Sequence, residues 1–301
     1  MNSPFEVRAI DGFPGIHAIV LEPNKGPMVV LDHDLIARLD ATIAVLRRDS
    51  RGVVLTSGSE RVFVAGADLA SIQSLGAPEL HKYLEYGAKV FGRLSQLPYP
   101  TAAAIGGAAL GGGLELAMHC DGLIGGPSAS GKPFPVGLPE AGLSICPGWG
   151  GTNLLPARID PADAISRTAK GEPMTSDQAV AAGLFDAVAG SAAELVSTAA
   201  AWVAKAAEGG RVERDGAPSR WIGRLSGTAK FKAASVAAAL QTVRPELPKT
   251  AAAEAVAQCV EVGLAEGWPA ALDAERRNLV HLRTTPEGKG AIEAFFAKSK
   301  K

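Results

Sequence analysis

Two glutamates and two glycine-containing turns carry the chemistry this chain has to offer. The first turn is Ala65-Gly66-Ala67-Asp68, at the end of the apolar run Val62-Phe63-Val64. Small residues there let a ligand approach the backbone closely. The second is Gly106-Gly107-Ala108-Ala109-Leu110-Gly111-Gly112-Gly113, between a strand-like run from Thr101 to Ile105 and the helix-like Leu114-Glu115-Leu116-Ala117-Met118. Consecutive glycines at a helix start leave backbone N–H groups bare, and the helix end adds partial positive charge. Such a place holds an oxygen bearing negative charge, and Glu115 stands about one turn further on. The second glutamate, Glu140, lies in Phe134–Leu143, which continues through Cys146-Pro147-Gly148-Trp149-Gly150-Gly151-Thr152.

Taken singly, each stretch has a plainer explanation. The first is a strand-to-helix turn with Asp68 as helix cap. The second is close helix packing, with Glu115 serving only the helix dipole. Glu140 alone reads as an exposed loop glutamate. Three glycines cost a helix about 1 kcal/mol each against alanine, a cost that a role in close backbone approach would offset.

Short strands and helices position these residues. Residues 5–11 and 16–22 read as strands joined by Asp11-Gly12-Phe13-Pro14-Gly15. Apolar residues recur at helical spacing from His33 to Arg48. Strands follow at Gly52–Thr56 and Val62–Val64, helices at Leu69–Leu75 and Pro78–Leu97, and strands again at Gly122–Ile124 and near Phe134–Gly137. Strand, strand, helix thus recurs without an exact sequence repeat. Beyond about residue 190, alanine-rich helical stretches dominate, at 191–207, 228–243, 250–265, 268–281 and 286–299, with a polar segment over Glu208–Gly227. The expected organisation is an α/β core over 1–190 and an α-helical region over 191–301.

Composition narrows the function classes. The chain has 301 residues, 47% of them hydrophobic, which is enough for a large core, and its net charge of −1 gives no support to a nucleic-acid partner. The three cysteines (Cys120, Cys146, Cys259) lie far apart without a CxxC pair. That argues against a structural zinc or a disulfide framework, so no metal is expected, and it suits a reducing, cytoplasmic setting. The N-terminus lacks the layout of a signal peptide, and no apolar run is long enough to suggest a membrane partner.

The order AGAD, GGxALGGGxELA and PE-x-GL-x-x-x-PG-x-GGT, here Ala65–Asp68, Gly106–Ala117 and Pro139–Thr152, resembles the enoyl-CoA hydratase/isomerase (crotonase) family. Gly171-Glu172-Pro173-Met174 through Ala179–Val188 fits a fourth motif, so the resemblance covers roughly residues 5–190. More loosely, Pro248–Ala253, Val262–Leu264, Glu275, Leu282, Thr284–Lys289 and Phe295-Phe296 resemble the hydratase half of the multifunctional fatty-acid-oxidation α-subunit. The sequence lacks a GxGxxG fingerprint followed by an acidic residue, so the resemblance implies a free-standing hydratase.

The resemblance implies a crotonase-like spiral of ββα units with a helical C-terminal region. It implies an acyl-CoA substrate whose thioester oxygen sits between the N–H groups of Ala67 and Gly112, with Glu115 and Glu140 as the catalytic carboxyls. The expected reaction is hydration of a trans-2-enoyl-CoA of the β-oxidation type. Isomerisation of a 3-enoyl-CoA and non-catalytic acyl-CoA binding are the alternatives. Ala65, Gly66, Asp68 and Gly111 become CoA-binding candidates, and Lys298 a partner for a CoA phosphate. CoA is then part of the substrate and no separate cofactor is expected. A homo-oligomer and a functional link to a 3-hydroxyacyl-CoA dehydrogenase are further expectations. His119 reads as a packed histidine, because no GxSxG elbow or matched Cys/His motif accompanies it. A dinucleotide site is disfavoured: Gly148-Trp149-Gly150-Gly151-Thr152-Asn153 lacks the last glycine of GxGxxG.

Overall fold

The apolar runs become strands of two sheets in the computed structural model, which describes residues 3–210, 214–224 and 233–299. The strands are β1 (Val7–Ala9), β2 (Ile16–Leu21), β3 (Gly52–Ser57), β4 (Val62–Val64), β5 (Thr101–Ile105), β6 (Ala108–Leu110), β7 (Gly122–Gly125), β8 (Pro135–Gly137), β9 (Met174–Thr175) and β10 (Ala187–Val188). One sheet has the order β1-β2-β3-β5-β7-β10. Its β1 is antiparallel to β2, and the pairs from β2 to β10 are parallel. The other has the order β4-β6-β8-β9. Strand β5 is buried along its whole length, which is why it reads as continuous small apolar residues rather than as an alternating pattern.

The recurring unit has a definite topology. In three successive passes the first strand (β3, β5, β7) joins the six-stranded sheet and the second (β4, β6, β8) joins the four-stranded one. The chain then enters the helix Leu69–Ser74, the helix Gly112–Met118, or the 3-10 turn Glu140–Leu143. Ala67, Gly112 and Glu140 therefore occupy equivalent places, each just after the second strand of a pass. Strand β6 lies inside the glycine run, where a turn is expected. Its Ala108 and Ala109 pair in parallel with Val62 and Val64 of β4, a partner more than 40 residues away that local sequence does not reveal.

Two compact units emerge, both discontinuous in sequence. The first holds the residues up to Gly66, Lys89–Val136 and Met174–Ser219; the second holds Ala67–Ala88, Gly137–Pro173 and the residues from Arg220 onward. None of the boundaries falls at residue 190, and the reason lies in the first unit. The helix Leu195–Ala207 lays Leu195, Ala199, Ala200 and Val203 against Ile16, Val54, Ala102, Ala104 and Ile124 of the sheet. The sheet is shaped for it. A Cβ on Gly52 would overlap Val203, and one on Gly122 would come within 2.7 Å of the Trp202 ring. Beyond that helix, Arg214 grips Asp121 through two hydrogen bonds of 2.6 and 2.7 Å and donates to the Leu97 carbonyl. Burial pushes the Asp121 carboxyl up, but the Arg214 guanidinium outweighs this and holds it below its ordinary value.

The second unit is mainly helical. Helices Pro161–Lys170, Ala233–Val243 and Ala251–Glu266 share a core of Ile165, Val236, Leu240, Ala257 and Val260. Ala251–Glu266 also packs along Trp268–Leu282, the chain turning at Gly267 with φ +90°. The helices expected over 250–265, 268–281 and 286–299 appear as Ala251–Glu266, Trp268–Leu282 and Pro286–Ser299. Residues 211–213 and 225–227 of the expected polar segment, and 228–232 of the helix expected over 228–243, lie outside the described residues. The helix Pro161–Lys170 goes beyond the sequence expectation; Asp160 caps it, accepting from the Ala162 and Asp163 N–H groups.

Candidate active site

In the first unit the glycine run builds a short, wholly buried helix. Gly111 is its N-cap with φ +52° and ψ −127°, a conformation open to glycine and closed to side-chain-bearing residues. Gly113 meets a different demand. A Cβ there would overlap the Val64 carbonyl, so its absence lets the helix lie directly on β4. Gly113→Ala is therefore expected to lower stability by about 1–3 kcal/mol. A fall in the thermal unfolding midpoint would register this, and an unchanged midpoint would refute the close approach.

Gly112 is the first helical residue, so its N–H has no intrahelical acceptor. Neither this N–H nor that of Ala67, in the second unit, donates to an acceptor among the described residues. Glu115 sits in the first turn, 1% exposed, its own N–H bonded to the Gly111 carbonyl at 3.0 Å. His119 caps the other end. It is buried, edge-on to Phe91 at 5.8 Å, and its carbonyl accepts from Ser95 Oγ at 2.9 Å, which is the environment of a packed histidine.

The Ala65–Asp68 loop is only partly available to a ligand. The Ala65 N–H donates to Val29 O at 2.8 Å and the Gly66 carbonyl accepts from Leu31 N–H at 2.9 Å. What Ala65 still offers is its carbonyl. Asp68 stands at the N-cap of Leu69–Ser74 but makes no capping bond; its Oδ2 accepts from Ser71 Oγ at 2.6 Å instead. The hydroxyl competes for the carboxylate with the backbone donors that a cap would satisfy. Lys298 is exposed in the last turn of Pro286–Ser299.

In the second unit Glu140 opens the 3-10 turn that follows β8. The residue is half-buried, yet its Oε2 is enclosed and accepts no hydrogen bond among the described residues. Burial pushes its carboxyl up to about 8, and the charge of Glu275 adds to the rise. The position of Glu140 on a surface-like turn gives no warning of this. Glu275, quoted in the sequence only as part of a loose C-terminal pattern, is fully buried on Trp268–Leu282. It accepts from Gly150 N–H at 2.5 Å, Thr152 N–H at 2.9 Å and Thr152 Oγ1 at 2.5 Å. Burial pushes Glu275 up to about 7, against the pull of those three donors. The available signal for Glu275 is an acidic residue on the apolar face of an amphipathic helix, where a charge is costly unless partnered.

Residues 15–215 match the family model described as enoyl-CoA hydratase/isomerase. The chain belongs to this family. A solved enoyl-CoA hydratase from Bacillus anthracis is 25% identical, with 97% of this chain and 96% of that one covered and a TM-score of 0.59. The solved human mitochondrial delta3-delta2-enoyl-CoA isomerase is 21% identical, with 98% and 97% covered and a TM-score of 0.66; at that identity the likeness speaks for the fold alone. An enoyl-CoA hydratase/isomerase from Mycobacterium paratuberculosis is similar to the same degree, at 20% identity and a TM-score of 0.64. The crotonase fold and the helical C-terminal region expected from the sequence are both present. The neighbours include hydratases and an isomerase, so the enoyl-CoA hydratase/isomerase assignment is a family assignment that spans two reactions.

Proposed function

We propose that the protein hydrates trans-2-enoyl-CoA thioesters to 3-hydroxyacyl-CoA. The N–H groups of Ala67 and Gly112 receive the thioester oxygen as it gains negative charge in the enolate-like transition state. Losing one such preorganised donor typically costs about 2.7–4 kcal/mol. Glu115 polarises the attacking water and draws its proton as the oxygen bonds to C3. Glu140 delivers its proton to C2, and proton return through solvent restores both carboxyls. In the reverse direction Glu140 receives the C2 proton.

The observation that carries this reading is the enclosed, unpartnered Oε2 of Glu140, with its carboxyl raised to about 8. A buried carboxyl with one oxygen left unpartnered favours its neutral form, and a neutral acid is what hydration requires at C2. Isomerisation needs only one base that takes a proton and returns it, so a dedicated acid in addition to a second carboxyl favours hydration. The free N–H groups of Ala67 and Gly112 support the oxyanion role.

For CoA, the Ala65 carbonyl, Gly66, Asp68 and Gly111 are the proposed contacts, and Lys298 would meet a phosphate. CoA enters as part of the substrate, without a separate cofactor. The reading places the chain in the cytoplasm as a homo-oligomer. The 3-hydroxyacyl product suits a dehydrogenase that oxidises that carbon.

The test is loss of enoyl absorbance over a series of 2-enoyl-CoA chain lengths, with a 3-enoyl-CoA included. Turnover of 2-enoyl substrates at some chain length is expected. Turnover of the 3-enoyl substrate alone would replace hydratase by isomerase, and thioester binding without turnover would make the protein a non-catalytic acyl-CoA binder.

A further inference from the structure

Thr152 stands twelve positions after Glu140, and the second unit pins both ends of that stretch. At the start, Ile145 N–H donates back to the Glu140 carbonyl at 3.1 Å, and Ser144 adopts φ +56°, the one non-glycine with positive φ among the described residues. In the middle, Trp149 is anchored by its Nε1–H on the Leu84 carbonyl at 2.9 Å and by the edge of Tyr83. At the end, Glu275 takes two backbone N–H groups and one hydroxyl. Those donors come from Gly150 and Thr152, 125 and 123 residues away in sequence.

We propose, on the basis of the hydratase reading, that Glu275 is a positioning residue for Glu140. It clamps the Gly150–Thr152 backbone downstream of Glu140 and holds a buried, donor-stabilised carboxylate in the same unit, so that Glu140 holds its proton until the substrate takes it. Three donors aimed at one carboxylate stabilise its ionised form, since hydrogen bonds to a charged group are each worth about 1.5–3 kcal/mol. Glu140 has no such donors on Oε2. Of two interacting buried acids, the one with donors ionises first and the other retains the proton, as happens whenever environments split a carboxyl pair.

The other groups around Glu140 do not account for this. Among the described residues, the helices Pro161–Lys170 and Pro286–Ser299 pack most closely on the 140–143 turn. The first carries Asp163, Arg167 and Lys170, with Asp163 and Arg167 paired to each other at 2.8 Å. The second carries Glu287, Lys289, Glu293 and Lys298, all on exposed or half-exposed positions. Glu172 follows the glycine that touches Gly142. The Cys146 thiol, 4.0 Å from Cys259 Sγ, is pushed up by burial, by Cys259 and by both glutamates, so it stays neutral. Glu275 is the charged group whose influence reaches Glu140.

The experiment follows the Glu140 carboxyl directly in the full-length protein without substrate. Infrared difference spectra across pH would be assigned by the band lost in Glu140→Gln. In Glu275→Gln the Glu140 midpoint is expected to fall by about one unit, because a like charge has been removed. Glu275→Asp, which keeps the charge, should restore most of it. Thr152→Val removes one donor to Glu275 in an isosteric way and should lower the midpoint by less, which keeps the test open if Glu275→Gln fails to fold. In hydration assays the alkaline limb of kcat/KM should move with the infrared midpoint, while KM at neutral pH stays within about twofold. An unmoved Glu140 midpoint in a folded Glu275→Gln or Thr152→Val protein would overturn the role of Glu275, even with hydration intact. A moved midpoint in a protein that turns over no enoyl-CoA would instead overturn the hydratase reading and, with it, the catalytic purpose of the clamp.

Discussion

Glu140→Gln is expected to slow 2-enoyl-CoA hydration by about 10²–10⁴-fold, the range set by loss of a positioned acid, while leaving thioester binding largely intact. Glutamine fits the same enclosed space and presents no transferable proton. The wild-type pH profile should show the same group. Burial raises Glu140 to about 8, so the acid is present at neutral pH and is lost as pH rises through that value. The kcat/KM profile, which reports the free enzyme, should therefore be level through neutrality and fall about tenfold per pH unit well above 8. Steady-state kinetics in overlapping buffers would check both points. Near-full activity in Glu140→Gln would remove Glu140 from the mechanism.

Glu115→Gln should be comparably damaging, by about 10²–10⁴-fold, but for a different reason. It removes the group that draws the proton from water, whereas the C2 proton still belongs to Glu140. Exchange of the C2 proton of a saturated acyl-CoA with deuterated solvent, followed by NMR, separates the two roles. Glu115→Gln should retain the exchange and Glu140→Gln should lose it. The opposite pattern would interchange the assignments of the two glutamates. Because Glu115 is 1% exposed on a seven-residue helix without exposed positions, circular dichroism should accompany the kinetics to show that the variant is folded.

The strand–strand–helix recurrence was readable because each pass is short and locally apolar, and the observed strands at Gly52–Ser57, Val62–Val64 and Gly122–Gly125 lie within a residue of their expected bounds. The Leu195–Ala207 helix was also readable as a helix, but not as a partner of the sheet. Its alanines fit the gaps at Gly52 and Gly122, a complementarity between segments with no signature in either one. Asp68 shows the same limit on a smaller scale: its type and position suit a cap, yet a hydroxyl one turn away takes the carboxylate.

The motif residues themselves were legible. Glycine at 111 and 113, and glutamate at 115 and 140, stand at spacings that belong to one family, and the match over residues 15–215 accords with that. Local spacing records such features because backbone conformation and close approach are demands on single residues. Protonation is not a property of that kind. Whether Glu140 carries a proton depends on the enclosure of its Oε2 and on a charge at Glu275, 135 positions further along the chain. That charge depends in turn on three donors from Gly150 and Thr152. Desolvation and Coulomb energy are set by what surrounds a group in space, so the sequence points to Glu140, and folding decides the state of its carboxyl.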